Sequence, residues 1–321
     1  MAAIIDLSVV IVNWNTAELL VHCLESLRPA AKRHSMEIIV VDNASTDGSV
    51  DAVKKGFPDV KLIQSDTNLG FAKGNNLGIS EAAGRYICLI NSDVVASEGC
   101  LDQMCDYMDR HVSIGILGPK VLNADLTLQP SCRQFPTVWN TFCRALALDV
   151  LLPKSRLLGG FYMTFSRGDQ VAQVDVLSGC FWMARRVAMD QIGLLDEGFF
   201  MYAEDVDYCK RSRLSGWDNV YFPEVQIVHF NGSSSARAPV RFLMENLKAT
   251  QRYLGKYHGP VERALFLLAI FVLHARRSLS AAVRCLLPSG EKQRSLTEMK
   301  ANAACALWLL RMSSARISGT S

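Results

Sequence analysis

The stretch Leu7-Ser-Val-Val-Ile-Val-Asn-Trp-Asn-Thr16, read with Glu37-Ile-Ile-Val-Val-Asp-Asn-Ala-Ser45, decides the fold. Each begins as a continuous apolar run rich in Val and Ile, the composition of a strand buried on both faces, and each ends on Asn or Asp. Between them, Ala17 to Leu27 carries apolar residues at helical spacing, so the chain opens β-α-β. Lys61 to Gln64 and Tyr86 to Ile90 read as further buried strands, with Lys73 to Ala83 as the helix between them. Strands that alternate with helices predict an α/β fold with a Rossmann-like, mostly parallel central sheet and helices on both faces.

Ligands of such sheets bind outside the carboxyl ends of the strands. Three polar clusters stand at those ends: Asn13-Trp14-Asn15, Asp42-Asn43-Ala44-Ser45 and Asn91-Ser92-Asp93. They are expected to share one crevice. Beyond them the sequence predicts a helix over 101–108, a strand over 114–117, an irregular segment over 123–170, a returning strand pair over 174–184 and a short strand, Val225 to His229.

With 321 residues, half of them hydrophobic and a fifth charged, the chain has material for a sizeable core and does not have a disordered composition. Its ten cysteines are scattered, with no Cys-x-x-Cys pair and no zinc-site spacing, which reads as small apolar residues in a reducing compartment. The N-terminus has no basic leading region and is interrupted by Asp6, unlike a secretory signal, so a cytoplasmic protein is expected.

The net charge of +3 conceals an asymmetry: residues 237–321 carry +10 and the rest −7. From about Pro239 the pattern is helical and basic. The ten-residue apolar run Ala264 to Leu273 lies between Arg263 and Arg276-Arg277 and is too short for the roughly 20 residues of a spanning helix. With the second patch, Ala303 to Leu310, it reads as an interfacial region on an anionic membrane surface. Apolar runs beside the arginines suit a bilayer better than nucleic acid. Two regions are expected, 1–236 and 237–321.

The run Asp196-Glu-Gly-Phe-Phe-Met-Tyr-Ala-Glu-Asp-Val-Asp207 crowds five carboxylates around Phe199, Phe200 and Tyr202, which look exposed. Mutually repelling carboxylates are kept where a metal, a cation or a proton transfer uses them, or where they open a helix and meet its dipole. Asp42 fits a ligand to a base imide or ribose hydroxyl, or a helix cap. Asp93 fits an anchor for a metal diphosphate, or another cap. His229 fits a third metal ligand, a phosphate contact or a structural residue. The stretch Asn68-Leu-Gly-Phe-Ala-Lys-Gly-Asn-Asn-Leu-Gly78 suits a backbone that approaches a ligand closely. It is neither Gly-x-Gly-x-x-Gly nor a P-loop, which removes the main support for redox and P-loop functions.

Taken in order, Val-Val-Ile-Val-Asn-Trp-Asn-Thr, Val-Val-Asp-Asn-Ala-Ser-Thr-Asp-Gly-Ser, Asn-Leu-Gly-Phe-Ala-Lys-Gly-Asn-Asn, Leu-Ile-Asn-Ser-Asp, Ser-Gly-Cys-Phe-Trp-Met-Ala-Arg-Arg and Phe-Met-Tyr-Ala-Glu-Asp-Val-Asp-Tyr-Cys-Lys-Arg resemble the family 2 inverting glycosyltransferases over about residues 7–235. Within that family they look most like bacterial rhamnosyltransferase-type enzymes of cell-surface polysaccharide synthesis. The resemblance implies the GT-A fold, a nucleotide-diphosphate sugar donor (dTDP-rhamnose for that subgroup), a divalent Mg²⁺ or Mn²⁺, and a lipid-linked or nascent glycan acceptor at the inner face of the cytoplasmic membrane. It places Asn13, Asn15, Asp42, Asn43, Asn68, Lys73, Asn91 and Asp93 on the donor side, and Asp93 and His229 at the metal. Asp205 matches the general base, with Glu204 its rival, and Ser178-Gly179-Cys180 lines the acceptor side. Asn91 stands where the family's Asp-x-Asp motif has its first acid, which thins the ligand set.

Two alternatives belong to other classes. A catalytically silent nucleotide-binding scaffold would not require both Asp93 and Asp205. A sugar nucleotidyltransferase would want a glycine- and basic-rich first loop, which Asn13-Trp14-Asn15-Thr16 does not supply. The sugar, the linkage and the oligomeric state, a homo-oligomer included, are left open. Segment 123–170, with Arg133, Trp139 and Arg144, reads as an acceptor reader or a lid.

Overall fold

The computed structural model describes residues 5–166, 168–230, 239–286 and 292–317. In chain order the elements are β1 (Leu7–Asn13), α1 (Ala17–Ala30), β2 (Met36–Asn43), α2 (Ser49–Gly56), β3 (Lys61–Ser65), α3 (Phe71–Ser80), β4 (Tyr86–Asn91), β5 (Val94–Ala96), α4 (Cys100–Arg110) and β6 (Ile114–Leu122). There follow β7 (Cys132–Arg133), α5 (Val138–Ala145), α6 (Leu148–Leu151), β8 (Ala172–Gln173), β9 (Val176–Leu177), β10 (Phe181–Arg185), α7 (Arg186–Ile192), α8 (Glu204–Leu214) and β11 (Asp218–His229). The chain closes with α9 (Pro239–Tyr257), α10 (Pro260–Leu286) and α11 (Lys292–Ile317).

These elements form two compact units. The first holds residues 5–135 and 168–230 and is built on a nine-stranded sheet in the order β3-β2-β1-β4-β10-β6-β11-β5, with β8 beside β11. Strands β3, β2, β1 and β4 run parallel, whereas β10 enters antiparallel between β4 and β6. The sheet is α/β and mixed, with its parallel half opening the chain as the β-α-β reading requires. Register decides which loops meet. Asn13 lies opposite Asp42, and Val12 opposite Asn91, so the ends of β1, β2 and β4 come out together.

Burial follows the apolar runs. Leu7, Val9, Val10 and Ile11 of β1 are sealed from solvent, as are Leu20, Cys23, Leu24 and Leu27 on the inner face of α1. Strand β3 departs from expectation: Lys61 and Gln64 are exposed because it forms the edge of the sheet. The expected strand pair over 174–184 also divides, since β9 pairs with β7 and β10 enters the main sheet.

Glycines set the approach of α3 to β1. A Cβ on Gly78 would overlap Val10 Cγ1, and one on Gly74 would stand 3.0 Å from Val12 Cγ1. At Gly70, with φ +81°, a side chain would run into the carbonyl oxygen of Phe200. At these three positions the glycine-rich stretch serves close packing of helix, sheet and the 196–203 loop.

The second unit holds residues 136–166, 239–286 and 292–317. The boundary expected at 236/237 lies outside the described residues, and 136–166 groups with the later helices rather than with the sheet that precedes it. Helix α10 packs on α5 and α11 through Phe266, Ala269, Ile270, Leu273 and His274, a stripe at helical spacing. Its run over 264–273 is short, but the helix carrying it has 27 residues and is long and apolar enough, by length and composition alone, to cross a membrane. Only 33% of its most apolar stretch is buried.

The α3–β1 contact predicts that Gly78→Ala lowers unfolding stability by about 1–3 kcal/mol through overpacking. Chemical denaturation measures it, and an unchanged midpoint would contradict the close approach.

Candidate active site

The three strand-end clusters of the first unit form a connected polar network. Buried Asn13 donates from Nδ2 to Asp42 Oδ1 at 2.9 Å and to Ser45 Oγ at 3.1 Å. Its own Oδ1 accepts from Thr16 Oγ1 at 2.7 Å, and Thr16 lies 2.8 Å from Ser92 Oγ in the third cluster. Asp42 Oδ2 accepts from Ser45 N at 2.9 Å, so Asp42 organises its own turn and does not cap α2. Asn15, held at φ +54°, accepts from Thr46 N at 2.8 Å. Asn43 donates from Nδ2 to Gly70 O at 3.0 Å, and its Oδ1 is buried without a partner. Asn68 closes the turn before α3 by accepting from Gly70 N at 2.9 Å. Lys73 is exposed on the first turn of α3, apart from this network.

Asp93 leaves the end of β4 into a tight turn rather than a helix cap. Its Oδ1 is 3.2 Å from His229 Nε2 at the end of β11, and Asn91 Nδ2 is 3.3 Å from the same nitrogen. Gln129 Oε1 takes the other ring nitrogen at 2.7 Å. Burial works against charge on the imidazole, but hydrogen bonds with Asp93 and Cys180 prevail and lift His229 to about 10. Among the described residues no group of three or more His, Cys, Asp and Glu converges on a point. A cation held partly by substrate phosphates needs only one or two carboxylates from the protein, and Asn91 Oδ1, buried and without a partner, adds an unclaimed oxygen beside Asp93. The residues present fit such an ion.

The five carboxylates after residue 195 separate by function. Asp196 accepts from Gly198 N, and Glu197 from Asn76 Nδ2. Fully buried Asp207 pairs with Arg211 at 2.9 Å, four residues on along α8. Phe199, expected to be exposed, is buried, while Phe200 O accepts from Phe71 N at 2.7 Å. Two carboxylates remain. Tyr202 and Ala203, both left-handed at φ +69° and +60°, turn the chain sharply so that α8 begins with Glu204 and Asp205 side by side.

Their surroundings differ. Asp205 Oδ2 accepts from Arg133 Nη2 at 2.5 Å and from Gly179 N at 3.2 Å, and Oδ1 from Val206 N at 2.8 Å. Glu204 has a buried Oε2 with no hydrogen-bond partner. Burial first, then the charge of Asp205, pushes the Glu204 carboxyl up to about 8. Two adjacent acids thus sit in different surroundings, Asp205 paired with a guanidinium and Glu204 buried with an unpartnered oxygen and a raised pKa.

The network also brings in residues whose partners here patterning did not reveal, Arg133 among them, which the sequence placed only in an acceptor reader or lid. Arg133 reaches Asp205 because β7 pairs with β9 next to Gly179. Gln129 orients His229 from a loop with no motif, and Thr16 ties the first cluster to the third. The Asp205 and Asp93 clusters are linked through the backbone, since Asn91 N donates to Cys180 O at 2.9 Å.

The glycosyl transferase family 2 model matches residues 8–193. An N-acetylglucosaminyl-diphospho-decaprenol L-rhamnosyltransferase of Mycobacterium tuberculosis is 31% identical over 273 residues, covering 80% of this chain and 87% of its own. The rhamnosyltransferase WbbL of Escherichia coli is 25% identical over 198 residues, 58% of this chain and 70% of its own. In fold, the mannosyltransferase PcManGT of Pyrobaculum calidifontis, solved with GDP-Man and Mn²⁺, superposes with a TM-score of 0.57 at 16% identity, over 96% of this chain and 88% of that one. Sheet order, strand-end clusters and these matches agree: the chain belongs to glycosyl transferase family 2, has the GT-A fold and is a glycosyltransferase.

Proposed function

We propose that the protein is an inverting transferase that moves a sugar, rhamnose from dTDP-rhamnose in the first instance, to a hydroxyl of a lipid-linked cell-surface glycan. The observation that carries this reading is the junction at Asn91 and Cys180 of two differently built sites, Asp93 with His229 and Asp205 with Arg133. The mycobacterial relative's diphospho-decaprenol acceptor and L-rhamnosyl group supply the substrate classes.

Asp42, Asn13, Asn15 and Asn43 would hold the nucleoside, using lone pairs of Asp42 that its internal bonds leave free. Asn68 would shape the loop beside it, and Lys73 would reach the donor from α3. Asp93 and the free Asn91 Oδ1 would hold Mg²⁺ or Mn²⁺, which when bound would neutralise charge on the departing diphosphate; His229, protonated beside Asp93, would join the ligands only on losing its proton. Asp205 would take the proton of the acceptor hydroxyl as its oxygen attacks the anomeric carbon from the face opposite the leaving group, which inverts the configuration. Arg133 and Gly179 N, both donating to Oδ2, fix the Asp205 carboxyl in place for that task. Glu204, neutral near pH 7, is the weaker candidate for the base. The basic second unit, with Leu265 and Leu268 exposed on α10, would rest peripherally on the inner face of the cytoplasmic membrane.

Asp205→Asn should reduce transfer by at least ~10²-fold, the lower range of a lost general base, while donor affinity stays near wild type. Radiolabelled transfer and calorimetry measure the two, and turnover close to wild type would remove Asp205 from the role.

Glu204 allows a second check. Its folded form keeps a proton from about pH 4.5 to about 8 that the unfolded chain releases, so wild-type stability should fall as pH rises across that window. Glu204→Gln should flatten the fall in melting temperature and retain transfer at neutral pH. A variant that keeps the slope, or is inactive with donor binding intact, would contradict the assignment.

A further inference from the structure

In the second unit, arginines gather without the carboxylates that would ordinarily accompany them. Arg144, at the end of α5, lies with its guanidinium carbon 4.8 Å from the ring centres of both Phe161 and Tyr162. Its Nε is fully buried and has no hydrogen-bond acceptor. Arg276 on α10 donates from Nε to Ala145 O at 2.7 Å, which brings the next residue, Arg277, to the same place. Arg277 is half-buried and has neither a hydrogen bond nor an ion pair among the described residues. Burial, followed by the neighbouring charge of Arg144, pulls Arg277 below the ordinary guanidinium range. Nearby His274 is lowered first by burial, against its hydrogen bond with Asn302, and then by Arg277 and Arg144. One carboxylate, Asp149, acts on Arg277 from α6, and its Oδ1 accepts from Val150 N at 3.1 Å.

Half-buried Arg144 and Arg277, with exposed Arg276 beside them, have one carboxylate, Asp149, among them, which leaves positive charge uncompensated in a partly desolvated place. Such an arrangement is unfavourable unless an anion from outside completes it. Planar guanidiniums with free N–H groups suit phosphoryl oxygens. The rim is apolar. Leu146, Val150 and Leu151 are exposed just after Arg144, and Leu279 and Val283 are exposed three and seven residues beyond Arg276, on its side of α10.

We propose that Arg144, Arg276 and Arg277 form a binding site for the diphosphate head of an isoprenoid-type lipid carrier, whose chain lies along that apolar rim. An excess of positive charge favours a diphosphate over the single charge of a phospholipid monoanion. The choice of carrier rests on the reading of the acceptor as lipid-linked, whereas the cluster stands on its own geometry.

The test is flotation of the full-length protein with phosphatidylcholine vesicles that contain a small fraction of polyprenyl diphosphate. The comparison vesicles carry phosphatidylglycerol at matched charge. Wild type should bind the diphosphate vesicles more tightly. Arg277→Gln and Arg144→Gln should each weaken that binding about tenfold or more, the scale of one or two charge-assisted hydrogen bonds. Donor affinity, a property of the first unit, should not move. Arg276→Glu, at an exposed position and with its folding checked by melting temperature, should give the same loss. Variants that bind like wild type, or phosphatidylglycerol that substitutes fully for the diphosphate, would overturn the site. Arginine-dependent binding without transfer would sink the acceptor reading and keep the site. Transfer to a lipid-linked acceptor with arginine-independent binding would do the reverse.

Discussion

The hydrogen bond from Asn13 to Asp42, 2.9 Å across the ends of two parallel strands, is the constraint on which the rest of the first unit depends. It exists because β1 and β2 are in register with Asn13 opposite Asp42, at the ends of two buried Val/Ile runs. Thr16 carries the order from there to Ser92, and β4 carries it to Asn91 and Asp93. Buried polar groups at strand ends are expensive unless paired, so few atoms of this network go without a partner. Its unpartnered atoms, Asn43 Oδ1 and Asn91 Oδ1, stand where donor and cation would be received.

The acidic loop shows how one fold gives neighbouring carboxylates different tasks. Asp207 is spent on Arg211, which also reaches the carbonyls of Ile192 and Leu194 and so fastens α8 in place. The fastening lets two left-handed residues, Tyr202 and Ala203, be tolerated just before the helix. Arg133 then separates Asp205 from Glu204 electrically. Glu204, without such a partner, is buried with a free oxygen, and burial raises its pKa.

Much of this was legible in the residues. Val9 to Ile11 and Ile39 to Val41 required buried parallel strands, and Asn13, Asp42 and Asp93 required a common edge. What escaped depended on tertiary placement. Lys61 to Ser65 has a buried strand's composition but lies at an edge. Phe199 looked exposed beside so many acids, yet it packs inward because its loop folds onto Gly70. Arg133 and Gln129 sit in a stretch without periodicity, and only the short β7–β9 pairing and the end of β11 reveal their partners. The length of α10 was hidden because Arg276 and Arg277 interrupt its apolar pattern without interrupting the helix.

The central claim is that the ends of β1, β2 and β4 form one donor site with a cation held at Asp93. Calorimetric titration of dTDP-, UDP- and GDP-sugars into wild type and Asp93→Ala, each with and without Mn²⁺, tests it most directly. The account predicts that one nucleotide class binds wild type more tightly when Mn²⁺ is present and that Asp93→Ala loses this gain while keeping its fold. Binding that ignores Mn²⁺ in both proteins, or an Asp93→Ala variant with the full metal response, would contradict it.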